Sequence, residues 1–133
     1  MKYILDTNVC IGLLKGKSSF LRTKIENILT DHIIIPAIVR FELYYGAYKS
    51  SRREETLQKL NEFLTSFETI ELDNHIAETA GKIRADIEKQ GTPIGPYDLL
   101  IGASALYTGY VLVTHNTKEF SRIPGLMIED WEA

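Results

Sequence analysis

Two short runs set the strongest constraint on this chain: Ile33-Ile34-Ile35 and Tyr110-Val111-Leu112-Val113-Thr114 are apolar and β-branched with no polar alternation. A strand with one wet face alternates, whereas a run that is apolar at every position must be covered on both sides. Strands of a parallel sheet between helical layers are covered in this way. Tyr3-Ile4-Leu5 is a third such run and ends on a carboxylate, Asp6. Thr69-Ile70-Glu71-Leu72 reads as a weaker strand, and Leu126-Met127-Ile128 as an edge strand after the Ile123-Pro124-Gly125 turn.

The segments between these runs carry helical spacing. Val9 to Leu14, opened by Asp6 or Thr7 as a cap, stops at Gly16. Ser18-Ser19 caps a helix in which Phe20, Leu21, Lys24, Ile25, Ile28 and Leu29 form one face, closed by Thr30-Asp31-His32. Pro36 fits the first turn of a helix running from Ala37 to about Tyr48, and Ser50-Ser51 caps the next, striped by Leu57, Leu60 and Leu64. Asp73 caps a helix marked by Ile76, Ala80, Ile83 and Ile87, which stops at Gln90-Gly91. After Gly95-Pro96, Tyr97 to Tyr107 is rich in Leu, Ile and Ala and predicts a largely buried helix, ended by Gly109. His115 to Glu119 reads as a polar loop. Strands and helices therefore alternate, giving an α/β class domain: a three-layer α/β/α architecture with a mostly parallel central sheet, occupying residues 1–133 as one unit.

Composition narrows the function. Fifteen Lys and Arg against eighteen Asp and Glu give a net charge of -3, without the basic bulk of many nucleic-acid binders. Gathering four of those acids around a cation would leave the remainder slightly basic, so local charge outweighs the total. The single cysteine, Cys10, lies between Val9 and Ile11 and reads as a buried thiol in a reduced, cytoplasmic protein. Neither the first residues nor the Ile33–Ile35 run is long enough for a signal-peptide core or a membrane span, so no membrane association is expected.

Four acids stand where strand ends lie. Asp6 follows the first strand, Glu42 sits on the helix after the second, Asp98 opens the helix after Gly95-Pro96, and Glu119 follows the Val111–Val113 strand. In open α/β sheets, ligands bind outside the carboxyl ends of the strands. Each acid also has a plain reading. Asp6 and Asp98 can be helix caps, Glu42 a surface partner of Arg40, and Glu119 a solvated loop residue. Against those readings, the helical neighbours of Glu42 are Ile38, Val39, Tyr45 and Gly46, and those of Asp98 are Ile101 and Gly102. Carboxylates within apolar or small-residue faces are costly without a function. Converging acids are tolerated when a cation neutralises them, and oxygen donors suit Mg²⁺ or Mn²⁺, which assist hydrolysis of phosphodiesters by activating water. Thr7, Asn8 and Asn116 are candidate supporting residues, with capping and turn formation as their alternatives.

Other schemes find less support. No histidine pair has metal-ligand spacing on a helix, and neither phosphate-binding glycine loop, G-x-x-x-x-G-K-[ST] or G-x-G-x-x-G, is present. A phosphatase using Asp6 as nucleophile expects a second aspartate two residues on, where Asn8 stands. A catalytically silent binding module remains an alternative. Among the basic residues, Arg40, Lys49 and Arg52 are candidates to face RNA phosphates, with a merely solvated surface as the alternative.

Leu5-Asp6-Thr7-Asn8, Phe41-Glu42-Leu43-Tyr44-Tyr45-Gly46-Ala47, Thr92-Pro93-Ile94-Gly95-Pro96-Tyr97-Asp98, Val113-Thr114 through Asn116 to Glu119-Phe120, and Ile128-Glu129-Asp130-Trp131 occur in that order. Together they resemble a PIN-domain ribonuclease, specifically a VapC-type toxin of a type II toxin-antitoxin module, over nearly the whole chain. The resemblance implies a Mg²⁺- or Mn²⁺-dependent endoribonuclease with Asp6, Glu42 and Asp98 as the core metal-binding acids and the Asn116/Glu119 loop completing the site. It further implies a homodimer, a cognate VapB-type antitoxin that blocks the acidic pocket, and a structured RNA substrate such as tRNA. Glu119 stands where many relatives carry Asp, and His115 where Asn or Arg is frequent.

Overall fold

The computed structural model describes residues 1–132. Its sheet has four strands, all parallel, in the order β2-β1-β3-β4: β1 (Tyr3–Leu5), β2 (Ile33–Ile34), β3 (Val111–Val113) and β4 (Ile128–Glu129). The register places Ile4 opposite Ile34 on one side and Leu112 on the other, and Val113 opposite Glu129. Ile4, Leu5, Ile33, Ile35, Leu112 and Val113 are fully buried, as an unalternating strand covered by helices on both faces must be.

Seven helices connect and cover these strands: α1 (Thr7–Lys15), α2 (Ser19–Glu26), α3 (Ala37–Lys49), α4 (Arg53–Thr65), α5 (Asn74–Lys89), α6 (Pro96–Thr108) and α7 (Thr117–Phe120). Their ends follow local chemistry. Asp6, Ser18 and Asp73 accept the backbone N–H groups of Val9, Leu21 and Ile76. Gly16 and Gly109 close α1 and α6 in the left-handed conformation that glycine adopts without a Cβ penalty. Cys10 is fully buried, and that burial pushes its thiol well above the ordinary range, so it behaves as an apolar core group. Among the described residues, no helix is long and apolar enough to cross a membrane.

Several boundaries differ from expectation. Pro36 is the cap before α3 rather than its first residue. Ser50 accepts from the Arg52 N–H but caps no helix, since α4 starts at Arg53 without a side-chain cap. Helix α2 ends at Glu26, short of Ile28 and Leu29. Thr69–Leu72 forms no strand. The chain there contributes only an isolated parallel bridge from Glu68 to Ile34, followed by Ala37 N–H donating to the Ile70 carbonyl at 2.9 Å. It lies beyond β2 at the sheet edge, joined to it by that bridge and by the Ile35 and Ala37 N–H groups. The edge strand β4 falls at Ile128–Glu129, later than the apolar run that announced it. Part of the expected polar loop, Thr117–Phe120, is the short helix α7.

Gly102 positions the last layer. A Cβ there would stand 2.5 Å from Ile123 Cδ1 and 3.5 Å from Phe120 Cδ1. Its bareness lets α7 and the following turn close on α6 one turn beyond Asp98. That approach carries Glu119 toward the same edge.

Candidate functional site

At the carboxyl end of β1, Asp6 is both cap and site residue. It is 4% exposed; its Oδ1 accepts from Val9 N–H at 2.8 Å and its Oδ2 from the Thr114 hydroxyl at 2.5 Å. The strands make this contact unavoidable. Asp6 N–H donates to the Val113 carbonyl, so the residue after β1 and the residue after β3 lie side by side. Thr114 is fully buried and also accepts from Asn116 N–H at 3.0 Å, tying the β3–α7 turn to Asp6. Sequence reasoning gave Thr114 no role. Its signal was a hydroxyl closing an otherwise apolar run on the strand adjacent to β1.

Glu42, on α3, accepts from the Thr7 hydroxyl at 2.8 Å through Oε1. Thr7 therefore orients the second acid, and Arg40 is not its partner. Arg40 donates instead to the carbonyls of Ile35 at 3.0 Å and Phe67 at 2.9 Å, fastening the segment after α4 to the end of β2. This use of the guanidinium revises its candidacy as an RNA contact. Arg52 is exposed at the N-cap of α4, and Lys49 lies over the Tyr45 ring at 5.4 Å. Asn8 is exposed at the second position of α1.

Glu119 lies on α7. Its Oε1 accepts from Gly95 N–H at 3.1 Å and its Oε2 from the Asn116 side-chain amide at 3.0 Å, which hold its carboxyl below the ordinary range. These bonds also pin the start of α6 to the β3–α7 turn. Asp98 stands three residues into α6, where the helix's positive end favours a carboxylate. Burial nevertheless outweighs that preference, and with the charges of Glu119, Asp6 and Glu42 it pushes Asp98 up to about 6. Asp6 is raised as well, first by burial and then by Glu132 and Glu42, against the opposing bonds from Thr114 and Val9.

The structure thus brings the four acids to one edge, and among the described residues none of them is ion-paired with Lys or Arg, although the Arg122 charge helps lower Glu119. Among the described residues, no three of them bring ligand atoms within 4.8 Å of one another. The described group with three potential ligand atoms within 4.8 Å of one another is instead His115, Asp130 and Glu132. It sits on the neighbouring strand ends, with His115 Nδ1 3.0 Å from Asp130 Oδ2 and Glu132 N–H donating to Asp130 Oδ1 at 2.9 Å. Sequence reasoning did not single out Glu132. Separate donors tether three of the four acids. Four carboxylates suit a hard divalent cation in donor chemistry, and the upward shifts of Asp6 and Asp98 come first from burial and then from neighbouring carboxylates.

Comparison with known proteins identifies the family. The family model of the PIN domain matches residues 3–126, and the chain belongs to that family. Within it, the chain falls among the VapC proteins. It is 42% identical to the tRNA(fMet)-specific endonuclease VapC of Salmonella typhimurium over 98% of each chain, and 37% identical to ribonuclease VapC2 of Rickettsia felis over 99% of each. The fold superposes on the DNA-bound VapBC structure from Salmonella typhimurium with a TM-score of 0.93, at 42% identity and 98% coverage of both chains. With VapBC-1 from nontypeable Haemophilus influenzae the TM-score is 0.90, at 32% identity over the full length of both.

Proposed function

We propose that this chain is an endoribonuclease toxin that uses Mg²⁺ or Mn²⁺ to hydrolyse RNA phosphodiester bonds. Its substrate is tRNA or another structured RNA in the cytoplasm, and a cognate VapB-type antitoxin restrains it. The observation that carries this reading is Asp98, pushed up to about 6 by burial and by Glu119, Asp6 and Glu42 at one strand edge. The VapC relatives named as ribonucleases and the VapBC complexes among the structural neighbours support the reaction and the partner. A homodimer accords with the same resemblance.

Asp6, Glu42, Asp98 and Glu119 are the residues to hold the cation, which when bound supplies Lewis acidity toward the phosphodiester and toward water. The rest of the site fixes those acids in place. Thr114 and the Val9 N–H set both oxygens of Asp6, Thr7 sets Glu42, and Asn116 with Gly95 keeps Glu119 ionised and directed inward.

The test is incubation of purified tRNA with the full chain and Mg²⁺, with and without EDTA. Chelator-sensitive cleavage is expected. Cleavage that persists in chelator overturns the metal assignment, and antitoxin binding without any nuclease activity supports the silent module.

A further inference from the structure

Beside the acids lies an exposed aromatic surface that the proposed chemistry does not use. Phe41 and Tyr97 are 49% and 46% exposed, and each immediately precedes a site acid, Glu42 on α3 and Asp98 on α6. Their rings meet edge to face, with centroids 5.5 Å apart and planes at 69°, so the pair bridges the two helices at the lip of the site. Large apolar rings this exposed are costly in water, and a contiguous set of them marks a binding surface. The set continues along α3, since Tyr45 and Tyr48 follow Phe41 at spacings of four and three residues and are also exposed.

Cations accompany the far end of this stripe. Lys49 Nζ lies 5.4 Å from the Tyr45 ring centroid, and the Arg53 guanidinium lies 5.7 Å from that of Tyr48. Bare rings next to the acids and cation-covered rings farther out match a single strand of RNA, whose bases stack on aromatic faces while its phosphates seek positive charge. A protein helix seated on the stripe would need apolar complement along all of it.

We propose that Phe41 and Tyr97 form a nucleobase platform that seats the unpaired base next to the scissile phosphate, with Lys49 and Arg53 receiving the phosphates of the flanking strand. The proposal rests on the endoribonuclease reading. It makes the two aromatic side chains positioning residues that select single-stranded or loop RNA, because a base held in a duplex cannot reach the platform.

The experiment uses the full chain carrying Asp98→Asn, so that RNA binds without being cut, and a single-stranded RNA oligonucleotide with 2-aminopurine substituted along it. Stacking is expected to quench the fluorophore, and Phe41→Ala or Tyr97→Ala to remove the quenching and weaken binding by about tenfold, within the range of one lost base stack. Phe41→Trp and Tyr97→Phe keep an aromatic face and should retain it. Tyr107→Ala, an exposed ring stacked on His75 at 5.6 Å, is the control. In the Asp98 background free of substitution, the alanine variants should raise KM for RNA cleavage more than they lower kcat. Unchanged quenching and KM, in a wild type that does cleave RNA, overturns the platform while leaving the nuclease intact. A change in molecular mass by light scattering with RNA affinity unaltered assigns the rings to an interface with a second copy and likewise overturns it. Absence of cleavage by the wild type, by contrast, strikes the endoribonuclease reading itself.

Discussion

Two groups of acids share the carboxyl edge of the sheet, and the difference between them is instructive. His115, Asp130 and Glu132 bring ligand atoms within 4.8 Å of one another, with Asp130 hydrogen-bonded inside the group. Asp130 receives both the imidazole and the Glu132 N–H, and His115 is exposed. Asp6, Glu42, Asp98 and Glu119 form no such compact group; neutral donors from Thr114, Thr7 and Asn116 hold three of them, and among the described residues none is bridged to Lys or Arg, although the Arg122 charge acts on Glu119. In the compact group Asp130 is already engaged by His115 and the Glu132 N–H. Unbalanced charge identifies the group for which a cation does electrostatic work. The raised carboxyls of Asp98 and Asp6 belong to the second group.

The comparison can be broken most forcefully by neutralising one member of each group. Asp98→Asn is expected to reduce RNA cleavage by about 10²- to 10³-fold, since several kcal/mol of charge stabilisation depends on the cation site. Asp130→Asn should leave turnover within about threefold, because its partners are a histidine and a backbone N–H at the chain end. Equal losses in gel-based initial rates would erase the distinction between the groups.

Next in size is Thr114→Val, which keeps the shape of the buried side chain and removes the hydroxyl that donates to Asp6 and accepts from Asn116 N–H. A buried carboxylate left without that donor costs about 1–3 kcal/mol. Metal affinity is expected to fall by about 10- to 100-fold, as for loss of a group that orients a ligand. Urea unfolding and metal titration read the two effects separately. Gly102→Ala probes the packing that delivers Glu119. The added methyl meets Ile123 at 2.5 Å, and overpacking of this kind costs about 1–3 kcal/mol, readable as a lower urea midpoint.

The smallest effect is the pH dependence of metal-free stability. Asp98 has a folded pKa of about 6 against 3.8 in the reference state, so the folded protein binds the proton more tightly. Ionised Asp98 therefore destabilises the fold above pH 6, and that penalty fades as pH falls through 6 toward 4. Asp98→Asn removes the penalty. In EDTA the variant should melt above the wild type at pH 7.5, with the gap closing by pH 4.5. A gap independent of pH would place Asp98 outside the influence of the other three acids.

Much of this architecture was legible in the chain because its causes are local. Ile33–Ile35 and Val111–Val113 lack alternation, so burial on both faces follows from side-chain period alone, and Gly16, Gly109, Ser18 and Asp73 announce helix ends through backbone chemistry. The misses have distant causes. Thr69–Leu72 has strand composition but lies outside β2 with a single bridge for a ladder. Helix α7 is four residues long, too short for helical periodicity to register. In the candidate site, Asp6 stood out by its strand-end placement, and Glu42 and Asp98 by their apolar helical neighbours. Thr114 bonds a residue 108 positions away, and Arg40 reaches a carbonyl 27 positions on, so neither role is written in its own segment.

The central claim is that the unbalanced acids, not the compact group, hold the divalent cation. Calorimetric titration of Mn²⁺ into the full chain, its Asp6→Asn,Asp98→Asn variant and its Asp130→Asn,Glu132→Gln variant tests it directly. Binding should vanish in the first variant and persist in the second. Binding that survives loss of Asp6 and Asp98 but disappears with Asp130 and Glu132 would contradict it.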